Sequence, residues 1–354
     1  MRILFFFVHP AKYHLFKHTI NRLLKEGYSV EIAIISKDVL EDLIRQEGWK
    51  YTNIFPEGRR IKNIPILIST SINFIKTLWR LWVYTNNKKF DLFVTDDCLT
   101  IIGKIKKIPS LMFTDNELST IPESSLLLHT STKILAPACV LLGKYEEKKI
   151  PFNGYKELTY LHPNYYKPNP AILKKIKAEN SRYFVLRVVS MTASHDRGIK
   201  GITDSYLEQL VDLLKPYGKI FISSERKLPE HLKKHELKIE SKEIFDVISY
   251  ADLFISDSGT MSSEAAVLGT PSIMFHDFIG RLKVMEEKEK KYGLMFGYRP
   301  DQFAEMVKKI KELAENNNLR EEWMIKKMKM LDEKEDLNKL MYSIFTNPDK
   351  FLHA

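Results

Sequence analysis

Asp252-Leu-Phe-Ile-Ser-Asp257-Ser258-Gly259-Thr260-Met-Ser-Ser-Glu264-Ala-Ala-Val-Leu268-Gly269-Thr270-Pro271-Ser-Ile-Met-Phe275 runs from an apolar strand through a Ser-Gly-Thr turn into a helix of small residues. Gly269-Thr270-Pro271 ends that helix just before a second apolar strand, so the stretch reads as a βαβ unit. The first N–H groups of a helix have no internal acceptor and carry the positive end of the macrodipole. A turn of Ser258, Gly259 and Thr260 therefore lets a diphosphate come close to them. Glu264, about one turn in, is placed to reach a ribose diol, or simply to favour the positive end of the helix as any carboxylate would.

Outward from this unit the pattern repeats. Strand-length apolar runs at Ile3–Val8, Val30–Ile35, Leu92–Thr95, Ser110–Phe113 and Lys133–Ala136 alternate with amphipathic stretches such as His14–Glu26 and Ile64–Tyr84. The alternation restarts with Tyr183–Val189, Lys219–Ser223, Leu253–Ser256, Ser272–Phe275 and Leu294–Phe296. Such alternation predicts an α/β protein of two Rossmann-like domains with parallel sheets flanked by helices. Between the halves, prolines at 163, 168 and 170 interrupt regular structure. The expected organisation is an N-terminal domain over 1–162, a linker over 163–182 and a nucleotide-binding domain over 183–354, with the option that the last helix crosses back to the first domain. A ligand is then expected in the crevice between the domains, at the carboxyl ends of the strands.

The composition narrows the function classes. At 354 residues and 44% hydrophobic content the chain can bury two cores, and its two cysteines, Cys98 and Cys139, have no metal-ligand spacing and suggest no disulfide framework. The apolar N-terminal run stops at His9-Pro10, too short for a signal segment, and no run reaches the roughly 18 apolar residues of a membrane span. The expectation is a cytoplasmic protein. A net charge of +10 favours anionic partners, yet the basic residues are scattered over helices without a nucleic-acid-binding module, and a solvated charged face is the expected meaning. In Ile64–Tyr84, however, Ile68, Ile72, Ile75, Leu78, Trp79 and Trp82 fall at helical spacing. Arg59, Arg60, Lys62, Lys76, Arg80, Lys88 and Lys89 flank them. Packing against a sheet explains this stripe, and so does peripheral contact with an anionic membrane.

Candidate chemistry clusters where strands end. His9 and His14 follow the first strand, and Asp96 and Asp97 follow the strand at 92–95. Asp115 and Glu117 follow the strand at 110–113, with Glu123 close behind. Carboxylates at the ends of adjacent parallel strands converge on one edge, where burial or like charge raises a pKa into the range of a general acid or base. Helix capping accounts for such aspartates equally well. After the strand at 183–189, Ser194, His195, Arg197, Lys200 and two glycines form a polar loop suited to gripping a diphosphate and offering a proton. Glu225 and His276 follow later strands in the same way.

Four separated stretches carry a resemblance over nearly the full length: His9-Pro10-Ala11-Lys12-Tyr13-His14-Leu15-Phe16-Lys17, Asn153-Gly154-Tyr155-Lys156-Glu157-Leu158 with Tyr160-Leu161-His162-Pro163-Asn164-Tyr165, Thr192-Ala193-Ser194-His195-Asp196-Arg197-Gly198, and Asp257-Ser258-Gly259-Thr260-Met261 with Glu264-Ala265. The chain resembles a prokaryotic family of unassigned function that is grouped with glycosyltransferase-B-fold proteins and UDP-N-acetylglucosamine 2-epimerases. The resemblance implies a nucleotide-sugar site and no obligatory metal or other cofactor. The epimerase pattern strand–Asp-Ser-Gly-Gly–helix with a later Glu is similar to Asp257, Ser258, Gly259 and Glu264, with Thr260 in place of the second glycine. The epimerases' His-Arg loop resembles His195-Asp196-Arg197, where Asp196 separates the two. Their acidic residues correspond loosely to Asp96 or Asp97, Asp115 or Glu117, and Glu123.

The function expected is a metal-independent glycosyltransferase that moves a sugar from a nucleoside diphosphate donor, a UDP-sugar first, to a glycan or lipid-linked acceptor in surface polysaccharide biosynthesis. Ser194, Arg197, Lys200, Ser258, Gly259, Thr260 and Glu264 would hold the donor. His9, His14, Asp96, Asp97, Asp115, Glu117 and His195 are the candidate acid–base groups. The alternative is a nucleotide-sugar 2-epimerase or hydrolase using the same residues.

Overall fold

The computed structural model describes residues 1–36, 39–57, 66–190, 201–277 and 279–352. The chain divides into two compact units, Met1–Tyr160 together with Glu335–Ala354, and Leu161–Lys334.

In the first unit, strands β1 (Arg2–Phe7), β2 (Ser29–Ile34), β3 (Tyr51–Asn53), β4 (Leu92–Thr95), β5 (Ser110–Phe113), β6 (Lys133–Pro137) and β7 (Lys149–Phe152) form one parallel sheet in the order β3-β2-β1-β4-β5-β6-β7. Successive side chains of a strand point to opposite faces, and β1 is apolar on both. Ile3, Phe5 and Phe7 enter one apolar cluster, while Leu4 and Phe6 enter another on the far side of the sheet. The short strands β3 and β7 lie at the edges and escape sequence reasoning. Tyr51-Thr-Asn carries too few residues for a pattern, and Pro151 in β7 is a residue that only an edge tolerates.

The second unit holds β8 (Tyr183–Val188), β9 (Lys219–Ser224), β10 (Leu253–Ser256), β11 (Ser272–Phe275) and β12 (Met295–Tyr298), again all parallel, in the order β12-β11-β10-β8-β9. Each sheet has a point where the strand order reverses, at β1 beside β4 and at β8 beside β10. Ligands of open α/β sheets sit outside the strand ends at such points.

The boundaries depart from the expected linker in one respect and follow the expected option in another. Residues 163–182 pack within the second unit: Asp246 accepts from the Tyr166 hydroxyl and from Asn169 N, Lys175 pairs with Glu243 at 2.7 Å, and the helix Ala171–Lys175 forms directly after Pro170. The prolines halt regular structure without detaching the chain, because the polar side chains around them find partners. At the other end, helix Leu337–Thr346 lies in the first unit, which is the crossing back that the sequence left open. Its Leu337, Met341, Ile344 and Phe345 enter the core beside Phe5, whose ring meets Phe345 edge-on at 5.5 Å, and Asn338 Nδ2 donates to Thr159 O at 2.8 Å.

A second difference concerns helix Ile66–Asn86, where packing on the sheet was one of two ways to explain the apolar stripe. The buried line is instead Ser69, Asn73, Thr77, Leu81 and Thr85, four residues apart. Ile68, Ile75, Trp79 and Trp82 are exposed, with Ile72 and Leu78 half-buried. The small polar residues of that line satisfy themselves along the helix's own backbone, as when Thr77 Oγ1 donates to Asn73 O and Thr85 Oγ1 to Leu81 O, each at 2.7 Å.

Candidate functional site

In the second unit the chain leaves β10 at Ser256, turns through Asp257 and Ser258, and enters helix Gly259–Leu268. Ser258 is its N-cap: the backbone is extended there and Oγ accepts from Met261 N at 3.4 Å, while its own N–H donates to Ser256 Oγ at 2.8 Å. From Ser262 to Leu268 the helix is buried, as its small side chains allow. Its start is open, with Ser258 and Gly259 half-buried and Thr260 exposed. Gly269 stops the helix with φ of +85°, a left-handed cap that side-chain-bearing residues rarely adopt.

Asp257 stands at the reversal point of the sheet. Its carboxylate accepts from Val189 N at 2.9 Å and from Ile202 N at 3.1 Å, joining the residue after β8 to the residues that lead into helix Asp204–Leu214. Arg226 reinforces the second attachment by donating to Ile202 O at 2.8 Å and pairing with Asp204. Burial pushes the Asp257 carboxyl up to about 6, although the Val189 and Ile202 N–H groups, and more weakly Arg226, favour the charged form. Ser194, His195, Arg197 and Lys200, expected to work beside this helix, lie outside the described residues.

Two side chains that sequence reasoning passed over hold this part of the unit, Lys288 the helix and Arg187 the strand ends. Lys288, fully buried, donates from Nζ to Ser263 Oγ at 2.6 Å, and Glu264 beside Ser263 is buried as well. A lysine within the charged run Glu286–Lys291 gives no sign of burial; only the turn that carries it decides that. Arg187, inside β8, donates to Ser223 Oγ at 2.8 Å and pairs with Glu225. Glu225 also accepts from Ser190 N at 3.2 Å, so it is committed to holding strand ends. His276 follows β11, is buried, and donates from its backbone N–H to Tyr298 O at 3.0 Å.

The first unit gathers most of the expected acid–base residues at the carboxyl edge of its sheet. His9 caps helix Pro10–Lys25, its Nδ1 accepting from Ala11 N at 3.2 Å, which places the proton of the neutral ring on Nε2. Lys12 Nζ lies 3.2 Å from Asp96 Oδ2 and 4.8 Å above the Phe113 ring, and Lys156 Nζ lies 2.7 Å from Asp115 Oδ2. Burial raises the Asp96 carboxyl above its ordinary range, Lys12 opposing and the neighbouring Asp97 adding to the shift. Asp97 is a structural group: its Oδ1 accepts from Cys98 N at 2.6 Å and its own N–H donates to Thr95 Oγ1 at 3.0 Å, at the entry to helix Leu99–Lys106. Glu117 is buried, and its carbonyl accepts from Thr120 N and Ile121 N. The side chain of Glu123 lies outside the described part. The edge therefore presents two lysine–aspartate pairs. Lys12 and Lys156 both lie within stretches that carry the resemblance, yet each is paired with an aspartate at the end of another strand, and only the sheet reveals the pairing.

His14 is further from chemistry than its motif suggests. Burial and then Lys17 push its pKa down to about 4, and its ring lies between Tyr13 at 5.0 Å and Tyr160 at 5.1 Å between centroids. An imidazole of that basicity is neutral at pH 7 and a weak proton acceptor. Its ring-proton resonances are expected to titrate near pH 4 by NMR, and stability is expected to rise with pH between about 4 and 6.5, where the unfolded chain binds the extra proton. A midpoint near 6.5 would return His14 to the list of bases.

A family model described as "Protein of unknown function (DUF354)" matches residues 6–348. Among solved structures, the chain is similar to a UDP-GlcNAc 2-epimerase from Neisseria meningitidis bound to UDP-GlcNAc, at TM-score 0.69 and 17% identity, covering 98% of this chain and 100% of that one. It is similar to S. aureus MnaA in complex with UDP, at TM-score 0.69 and 13% identity over 100% and 98% of the two chains. It is also similar to the spinosyn forosaminyltransferase SpnP, at TM-score 0.65 and 12% identity over the whole of both. No curated protein matches it in sequence. The fold is thus the glycosyltransferase-B type, shared by glycosyltransferases and UDP-GlcNAc 2-epimerases.

Proposed function

Since the chain belongs to that family of proteins of unknown function, we propose from its own residues that it is a glycosyltransferase, transferring a sugar from a nucleoside diphosphate donor, UDP-linked first, to a glycan or lipid-linked acceptor. The observation that carries this reading is the Ser258-capped helix at the reversal point of the second sheet, open at Ser258, Gly259 and Thr260 and buried from Ser262 onward. Its first N–H groups would bind the diphosphate and stabilise the charge that develops as the sugar–phosphate bond breaks. Glu264 would fix the ribose. Arg197 and Lys200 remain proposed counter-charges in place of a metal, with no geometry attached. On the acceptor side, Asp96 beside Lys12 and Asp115 beside Lys156 are the groups proposed to take the acceptor proton, while His9, with its ring proton on Nε2, is proposed as a hydrogen-bond donor.

The same lysine–aspartate edge supports a second reading, a nucleotide-sugar 2-epimerase or hydrolase, in which a raised carboxyl such as Asp96 takes a sugar proton or activates water. Thermal unfolding with UDP, GDP, CMP, ADP and dTDP tests the shared donor site. One diphosphate at about 100 times its dissociation constant should add about 2.7 kcal/mol of stability, and Glu264→Gln should reduce the gain. No shift with any nucleotide would remove both readings. Conversion of a UDP-sugar without any acceptor would select the second, and strict acceptor dependence the first.

A further inference from the structure

We infer that the first unit docks peripherally on an anionic lipid bilayer through the outer face of helix Ile66–Asn86, the adjacent helix Leu99–Lys106 and the helix Ser125–Thr130 next to that one. This conclusion concerns the surface of that unit alone and does not depend on the donor site.

Helix Ile66–Asn86 is built inside out for a soluble sheet cover. Its packed line is small and mostly polar, while Ile68, Ile75, Trp79 and Val83 on the opposite side are 54–66% exposed, with Phe74 and Trp82 beside them at 37% and 38%. Helices Leu99–Lys106 and Ser125–Thr130 continue the surface, contributing Ile105 at 59% and Leu126 at 51%, and their inner residues Leu99, Ile102 and Leu127 join Leu81 in the same apolar cluster. An exposed apolar surface of this extent signals an interaction site.

Charge selects the occupant. The three helices contain no aspartate or glutamate and four cations, Lys76, Arg80, Lys104 and Lys106. Arg80 is engaged by Glu57, and Lys106 lies along the patch with Nζ 4.5 Å above the Trp82 ring, donating to Trp82 O at 3.2 Å. Apolar stems with cationic heads and a pair of tryptophans suit the headgroup boundary, where ammonium groups meet lipid phosphates and indoles sit at the interface. A second copy suits it poorly, since a two-fold pairing would set the exposed cations of these acid-free helices, Lys76 and Lys104, against themselves. No helix among the described residues is long and apolar enough to cross a membrane, so the contact is one of lying on the surface.

The test is flotation of the full chain with vesicles of phosphatidylcholine alone and of phosphatidylcholine with about 30% phosphatidylglycerol, at low and high salt. Wild type should float with the anionic vesicles, at least about tenfold more than with the neutral ones, and less at high salt. The double variant I75S/W79S and the charge reversal K76E/K104E should each lower binding by about tenfold or more with an unchanged melting temperature, since all four positions are exposed. The two variants act on different terms, so poor folding of one leaves the other decisive. No flotation, or equal binding to neutral and anionic vesicles, would overturn the inference. So would sedimentation equilibrium showing a dimer that I75S/W79S dissociates while vesicles stay bare, an outcome that would assign the face to a second copy.

Discussion

Replacing Asp257 by alanine is expected to lower the stability of the second unit by about 3 kcal/mol, because one buried and one half-buried N–H group lose their acceptor at once and a buried one costs about 1–3 kcal/mol unpaired. Asp257 is 3% exposed, and the groups it holds, Val189 N and Ile202 N, belong to segments that have no ladder bond between them there. The accompanying pH dependence gives a sharper readout. The carboxyl is pushed up to about 6 from 3.8 in the unfolded chain, so between those values the folded state binds more protons. The stability this supplies is complete below about pH 4 and is lost as pH rises through about 6, a change of up to about 3 kcal/mol. Denaturant titrations of wild type and Asp257→Asn across that window should show the wild-type advantage shrinking as pH rises. An advantage that grows instead would mean that the N–H donors outweigh burial and hold the group as a carboxylate.

Thr260→Glu is expected to abolish nucleotide binding while leaving the fold intact. Thr260 is exposed at the second position of its helix, where a carboxylate favours the positive end of the macrodipole by about 0.3–1 kcal/mol. The same charge would stand where a diphosphate has to approach. A loss of roughly a hundredfold in affinity corresponds to about 2.7 kcal/mol, enough to erase the thermal shift at a concentration that stabilises wild type. Thr260→Gln, of similar size and neutral, should keep most of the binding. Calorimetry on the three proteins separates an anion site from a helix cap that serves structure alone: undiminished binding by Thr260→Glu would remove the helix start as the donor site.

The residues that made the second unit readable act locally. Leu253–Ser256 is apolar at strand length, Ser258 is a cap, Gly259 and Thr260 open the helix and Gly269 closes it, so each element follows from the dihedral and hydrogen-bonding preferences of a few neighbours. For the same reason most strands fall within a residue or two of their apolar runs. Features that depend on what packs against what were not readable in this way. The stripe on helix Ile66–Asn86 is visible as a pattern, yet helical periodicity says only that two faces differ. Which face turns inward was decided by packing, which buries Ser69, Asn73 and Thr77 and leaves Ile68, Ile75 and Trp79 exposed. Helix Leu337–Thr346 is amphipathic wherever it lies, and the space beside Phe5 in the first unit is what receives it.

The candidate site divides along the same line. Residue types at strand ends were legible, because a parallel sheet sends every such residue to one edge. Partners were not: Lys12 with Asp96, Lys156 with Asp115, Asp257 with Val189 and Ile202, and Lys288 beneath Ser263 are pairs of groups brought together only when strands order themselves. By itself the amino-acid sequence determined two parallel α/β sheets and a serine-capped helix, since local chemistry suffices for both. Only the tertiary structure decided which carboxylates are paired, which histidine is held neutral and which apolar face is left to solvent, because those properties belong to distances between segments far apart in the chain.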